Sequence, residues 1–238
     1  MTINDLKVAI YADGADVKGM LEMREKGFVK GFTTNPTLMK KAGVKDYISF
    51  AEEVLKEIKD VPVSFEVFSD EMELMEKEAR RLSGLGDNVY VKIPVMNTKG
   101  EATYELVRKL SSEGMHLNVT AVFTMDQVTS VVEALNDEVE SIVSLFCGRI
   151  ADAGVDARVY AREAAAICSK NKGAKLLWAS CREVYNIIEA DESGADIITV
   201  TNDILKKLGN IGKDLEQFSR ETVQMFSDDG KSLGFSIL

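Results

Sequence analysis

A lysine stands in the middle of the run Val89-Tyr90-Val91-Lys92-Ile93-Pro94-Val95. The run is short and β-branched, the pattern of a strand buried on both faces. Lysine is seldom buried in such a place without a reason. Desolvation disfavours an ammonium, and bringing a lysine from about 10.4 to near 7.4 costs roughly 4 kcal/mol. The result is a free amine that attacks carbonyl carbon. The plainer alternative is that Lys92 ends the strand and snorkels to water. Polar residues also mark the ends of neighbouring apolar runs: Asp13, Thr33 and Asn35, Glu66, Asn118 and Thr120, Ser144 followed by Arg149, Ser180 followed by Arg182, and Thr199. Taken singly each has an ordinary role: Asp13 as a helix N-cap, Asn35 before Pro36 as a turn residue, Thr120 as a strand threonine. Gathered around one buried lysine they are hard to explain by packing, because each costs free energy in a core unless hydrogen-bonded.

Composition narrows the chemistry. His116 is the only histidine in 238 residues. A histidine-rich metal site is therefore excluded, and a Ser-His-Asp or Cys-His system must use that one residue. What remains is lysine, carboxylates, hydroxyls and arginines. Cys147, Cys168 and Cys181 are an odd set without CxxC spacing, which suits reduced thiols in the cytoplasm. The net charge is −10 and the basic residues are dispersed, so no nucleic-acid partner is expected. No apolar run is long enough to span a membrane. Residues Met1 to Asp5 lack the basic and apolar segments of a signal peptide.

Eight apolar runs read as strands: Lys7–Asp13, Gly31–Asn35, Val63–Phe68, Val89–Val95, Leu117–Phe123, Ser141–Phe146, Ala174–Ser180 and Asp196–Thr201. Between them lie segments with helical spacing: Val17–Lys26, Tyr47–Lys59, Glu71–Leu82, Glu101–Ser111, Met125–Leu135, Asp156–Lys170 and Arg182–Glu192, with a short Asn202–Leu208. Gly27, Gly114, Gly173 and Gly194 are placed as helix C-caps. Strand–helix alternation implies parallel strands joined by right-handed crossovers. Two closures satisfy it, an open doubly wound sheet and a (β/α)8 barrel. The absence of GxGxxG after the first strand weakens the first, and eight units over this length favour the barrel. The whole of residues 1–238 is expected to be one α/β barrel domain, with 212–238 a C-terminal helix and tail. In a barrel, functional residues sit at the C-terminal ends of strands, where the polar set above falls.

At these positions the sequence resembles the transaldolase family, class I Schiff-base aldolases on a (β/α)8 barrel. The stretches that carry the likeness are Ala12-Asp13-Gly14-Ala15-Asp16, Thr33-Thr34-Asn35-Pro36-Thr37-Leu38, Ser64-Phe65-Glu66-Val67, Val91-Lys92-Ile93-Pro94-Val95, Leu117-Asn118-Val119-Thr120, Ser144-Leu145-Phe146-Cys147-Gly148-Arg149-Ile150 and Ala179-Ser180-Cys181-Arg182. The resemblance implies that Lys92 forms an imine with the C2 ketone of a sugar phosphate. It implies that Asp13 takes the C4 hydroxyl proton, and that Glu66 with Thr120 holds the water that shuttles protons. Asn35 and Asn118, beside Thr33, would bind the dihydroxyacetone unit. Arg149 and Arg182 would clamp phosphate, with Ser180 and Ser144 as neutral donors. No metal and no organic cofactor is implied. Fructose-6-phosphate aldolases resemble the same family but carry glutamine at the Glu66 position and tyrosine at the Phe146 position, so both residues here look like transaldolase. An amide cannot exchange protons with water as a carboxylate can.

The sequence departs from the family pattern at Leu145, Cys181, Asn97-Thr98 and Thr201-Asn202, and these departures are expected to flank the anion end of the pocket. Readings that compete with a transaldolase are an aldolase releasing free dihydroxyacetone, a sugar-phosphate-binding barrel without turnover, and a scaffold protein. The segment Leu215–Phe226 is surplus to the barrel. It places Leu215, Phe218, Val223 and Phe226 near one stripe and is followed by Leu233, Phe235, Ile237 and Leu238. A homo-oligomer is expected, with this helix crossing a subunit interface towards the neighbour's pocket mouth. The alternative is a tail folded back on its own barrel.

Overall fold

The structure, a computed structural model, describes residues 3–235. The expected strands form as β1 (Ala9–Asp13), β2 (Val29–Thr33), β3 (Val63–Glu66), β4 (Val89–Pro94), β5 (Leu117–Val122), β6 (Ser141–Leu145), β7 (Ala174–Trp178) and β8 (Ile197–Thr201). Neighbours pair in parallel in chain order and β8 pairs with β1, which closes the barrel and rules out the open sheet.

Period two then sorts the side chains. Phe65, Val91, Ile93, Val119, Val143, Ile198 and Val200 face outward and are fully buried under the helices. Alternate residues face the barrel interior. Tyr11, Tyr90, Ile142, Leu177 and Ile197 form a separate apolar cluster there. One pleat further along their strands stand Asp13, Lys92, Ser144 and Thr199. The apolar layer thus closes the barrel beneath the polar one.

Helices cover the outside: α1 (Val17–Glu25), α2 (Pro36–Ala42), α3 (Tyr47–Glu57), α4 (Met72–Ser83), α5 (Tyr104–Ser112), α6 (Met125–Ala134), α7 (Cys147–Asp152), α8 (Ala157–Cys168), α9 (Tyr185–Glu192), α10 (Asn202–Leu205) and α11 (Leu215–Ser232). Their starts are chemically marked. Asp16, Asp46, Asp156 and Asp214 each accept a backbone N–H of the first turn, and Thr124 with Gln127 makes a reciprocal capping box.

The structure corrects several expectations. The helix at Asn202–Leu208 ends at Leu205, and a 3-10 turn follows at Leu208–Asn210. Helices α2 and α7 are additional. Gly27, Gly114 and Gly194 do take left-handed φ of 75°, 88° and 79° just past helices. Gly173 does not cap one. A Cβ there would lie 2.7 Å from the Val139 carbonyl oxygen and 2.9 Å from that of Asn136, so glycine is needed for close passage of two loops. Helix α11 runs beyond Phe226 to Ser232, and none of its residues is buried. Leu215 and Phe226 are 80% and 65% exposed. The tail residues Ile237 and Leu238 lie outside the described residues. No helix among the described residues is long and apolar enough to cross a membrane.

Candidate active site

Lys92 lies inside the barrel on β4 and is 7% exposed. It is not solitary. Its Nζ lies 3.0 Å from Glu66 Oε2 and donates to the Thr34 carbonyl oxygen at 2.8 Å. Strand register makes this encounter: Glu66 on β3, Lys92 on β4 and Asn118 on β5 are direct Cα partners. Residues paired in this way point to the same face of a sheet. Ammonium and carboxylate, both largely withdrawn from water, hold each other in place.

Asp13 ends β1 and lines the same chamber. Burial pushes its carboxyl above the ordinary range. Lys92 and hydrogen bonds from Thr33 and Asn35 work against that shift, and Glu66 adds to it. The Thr33 hydroxyl donates to Asp13 Oδ1 at 2.8 Å, and Asn35 Nδ2 reaches Oδ2 at 3.4 Å. Asn35 serves two masters. Its Oδ1 accepts Leu38 N–H at 2.9 Å and caps α2, with Pro36 at the first helical position. The capping role uses only the amide oxygen, so the N–H2 faces Asp13 and the chamber.

Deeper in the barrel, Ser144 donates to Asn118 Oδ1 at 2.6 Å, and Asn118 Nδ2 donates to Ser64 at 3.1 Å. The Ser144 proton is therefore committed to Asn118. Its remaining capacity is as an acceptor, which does not suit the anion-donor role expected of it. Thr120 is buried, borders the cavity, and its hydroxyl has no hydrogen-bond partner among the described residues. The residue after it, Ala121, has φ 57°, and the pairing of β5 with β6 shifts register there. Phe146 lies beside Phe123 at 5.6 Å.

The far end is cationic. Arg149 on α7 is exposed and makes no ion pair among the described residues. Arg182 is bound to Asp152 of α7. Ser180 holds φ 66°, a left-handed conformation that disfavours side chains. All the side chains proposed from the sequence border one cavity of about 390 Å3, from Asp13 and Lys92 at one end to Arg149 and Arg182 at the other. His116 is not among them. It stacks on Tyr90 at 4.9 Å, and its Nδ1 meets the Glu140 carbonyl oxygen.

A sequence profile described as Transaldolase/Fructose-6-phosphate aldolase matches residues 10–237. The chain belongs to this family. It is 39% identical over 201 residues to a probable transaldolase of Methanococcus maripaludis, covering 84% of this chain and 89% of the relative. It is 36% identical over 227 residues to a probable transaldolase of Thermoplasma volcanium, covering 93% and 98%. A probable transaldolase of Rhizobium meliloti is 36% identical over 200 residues, covering 83% and 87%.

Within the transaldolase/fructose-6-phosphate aldolase family frame, the departures sort unequally. Cys181 and Thr201 border the cavity, Thr201 as the register partner of Asp13 rather than beside the arginines, and Asn202 does not border it. Burial pushes the Cys181 thiol up to about 12, which keeps it neutral and unreactive. Leu145 is fully buried and faces the outer core. Asn97 and Thr98 do not border the cavity either. Asn97 Oδ1 accepts the N–H groups of Lys99 and Glu101, and Thr98 is tied to Asp70. These residues staple the loop after β4 to the loop after β3, so for them the expected place at the anion end was wrong.

Several supporting groups were missed in the sequence. Ser64 is two residues before Glu66, and strand period alone could have found it. The Thr34 carbonyl and the Tyr47 hydroxyl could not have been found that way. Tyr47 donates to the Glu66 carbonyl oxygen at 2.8 Å and stacks on Phe68 at 4.6 Å. Glu78 holds the same loop through Phe68 N–H and the N–H and hydroxyl of Ser69. Burial pushes the Glu78 carboxyl up, but these three bonds outweigh it and keep the group below the ordinary carboxylate range.

Proposed function

We propose that the protein is a transaldolase. It moves a dihydroxyacetone unit from a ketose phosphate, sedoheptulose 7-phosphate or fructose 6-phosphate, to an aldose phosphate through a Schiff base on Lys92. The observation that carries the reading is the ion pair of Lys92 and Glu66, closed in one chamber with Asp13 and opposite two arginines. Glu66, directly or through a water, takes a proton from the ammonium. The freed amine attacks the C2 ketone to give a carbinolamine, and loss of water gives the iminium. Asp13 removes the C4 hydroxyl proton, the C3–C4 bond breaks, and its electron pair flows into the iminium to leave an enamine on Lys92. The first aldose departs. A second aldose accepts the enamine carbon, and hydrolysis of the new iminium releases product. Asn35 and Asn118 hold the hydroxyls of the retained unit. Thr120 and Glu66 hold the shuttling water, and Arg149 and Arg182 meet the phosphate. The scheme uses no metal or organic cofactor, and the reduced thiols suit a cytoplasmic setting.

The test is product analysis with fructose 6-phosphate, with and without erythrose 4-phosphate. Wild type should form sedoheptulose 7-phosphate and release little dihydroxyacetone. Glu66→Gln combined with Phe146→Tyr should raise free dihydroxyacetone relative to transfer, because an amide no longer exchanges protons with the bound water and a phenol reaches into the chamber. Release by wild type as fast as transfer makes the protein an aldolase instead.

We propose further that the protein is a homo-oligomer joined through α11. In proteins most helical stability comes from packing an apolar face rather than from propensity, and α11 buries no residue. Burying Leu215, Phe218, Val223 and Phe226 is worth roughly 1.5–3 kcal/mol each. Chains ending before Lys213 should run as smaller species in light scattering, with the barrel still folded by circular dichroism. An unchanged assembly after truncation removes α11 from the interface.

A further inference from the structure

Thr199 sits on β8 inside the barrel, and the scheme above gives it no part. β1 lies between β2 and β8, and Tyr11 is the register partner of Thr199 while Asp13 is that of Thr33. The two threonines therefore flank β1 and meet across its inner face. Their hydroxyls are 2.5 Å apart, and Thr33 is in turn 2.8 Å from Asp13 Oδ1. Each hydroxyl has one proton. An ionised Asp13 offers only lone pairs, so the Thr33 proton points at the carboxylate. The Thr33 oxygen is then an acceptor, and Thr199 is left to donate to it. One charge at Asp13 sets the direction of both bonds.

We propose that Thr199 is a positioning residue for the catalytic base: by donating to Thr33 it commits the Thr33 proton to the Asp13 carboxylate and strengthens that bond. Chained hydrogen bonds in a low-dielectric interior polarise one another, so the outer bond reinforces the inner. The charged groups facing Asp13 are Lys92 from β4 and Glu66 from β3, while the end of β2 presents the neutral Thr33 and the N-cap of α2 the neutral Asn35. From β8 the facing residues, Thr199 and Thr201, carry only hydroxyls. Altering Thr199 thus changes the hydrogen bonding of Asp13 without changing the charges around it. The inference rests on the reading of Asp13 as the base of carbon–carbon cleavage.

The test compares Thr199→Val, which keeps the shape and loses the donor, with Thr199→Ser, which keeps the donor and loses a methyl. The readout is the pH dependence of kcat/KM for transfer from fructose 6-phosphate to erythrose 4-phosphate. A carboxylate that loses hydrogen-bond support takes up its proton more readily, so the acid limb should move to higher pH in Thr199→Val. kcat should fall about threefold to tenfold near neutrality. KM should hold, because the arginines lie at the other end of the cavity. Thr199→Ser should keep the wild-type limb. A wild-type limb in Thr199→Val, or equal impairment of the Ser and Val variants, overturns the proposal. An Asp13→Asn variant that retains the acid limb overturns the base assignment along with it. A limb lost in Asp13→Asn yet unmoved in Thr199→Val overturns only the part given to Thr199.

Discussion

Lys92→Met should abolish both turnover and trapping. Wild-type protein incubated with fructose 6-phosphate and borohydride should gain a stable mass increment on the peptide that carries Lys92, and the variant should gain none. The loss in kcat/KM should reach at least about 10,000-fold, about 5 kcal/mol of transition-state stabilisation, since no other group replaces a covalent electron sink. Part of the damage is electrostatic. Lys92 is the cation that opposes the upward push of burial on Asp13, so its removal drives the Asp13 carboxyl further up. It also strands Glu66. Breaking one side of a buried pair costs about 3–5 kcal/mol, and the partial exposure of Glu66 keeps the cost below that. Lys92→Met with Glu66→Gln removes both charges and should recover stability while remaining inactive. An adduct on another lysine, or an active Lys92→Met, ends the Schiff-base assignment.

Gly148→Ala should disable the anion end while sparing the chemistry. The first turn of α7 presses on the chain after β7. Gly148 N–H donates to the Ala179 carbonyl oxygen at 3.3 Å, and a Cβ on residue 148 would stand 1.7 Å from the Ser180 carbonyl oxygen. That atom belongs to backbone and cannot swing aside. The methyl therefore has to push α7, which carries Arg149, away from the segment that carries Ser180 and Arg182. A displacement near 1 Å at a positioning contact costs on the order of 100-fold, and overpacking costs about 1–3 kcal/mol of stability. The rise should fall mainly on KM for fructose 6-phosphate. Imine formation with dihydroxyacetone, which has no phosphate, should change little. Equal loss with both ligands would mean that the contact supports the whole barrel mouth, and an unchanged KM would remove the arginines from substrate binding.

Much of this was legible in one dimension. The β-branched runs and the 3.6-residue periods between them report local preference and amphipathic faces, and these name strands and helices before any contact is known. Period two then puts Glu66, Lys92 and Asn118 on inner faces, so the candidate residues could be chosen without coordinates. Two short helices escaped. α2 is announced by Asn35-Pro36, but that pair reads equally as a turn, and α7 is too short to show a period. Pairings were the larger omission. Lys92 read as a lone buried amine, and only barrel closure with its register set Glu66 beside it and the Thr34 carbonyl beneath it. The Ser144 hydroxyl read as a phosphate donor until Asn118 took its proton. Asn97 and Thr98 read as pocket residues until Asp70 tied them to the neighbouring loop. Gly173 read as a cap until two carbonyls from another loop came within reach of it. A sequence encodes the local free energies that choose an element and the face it must bury. Which donor meets which acceptor across the barrel depends on strand register and closure. Those are properties of the whole chain, and they exist only once it has folded.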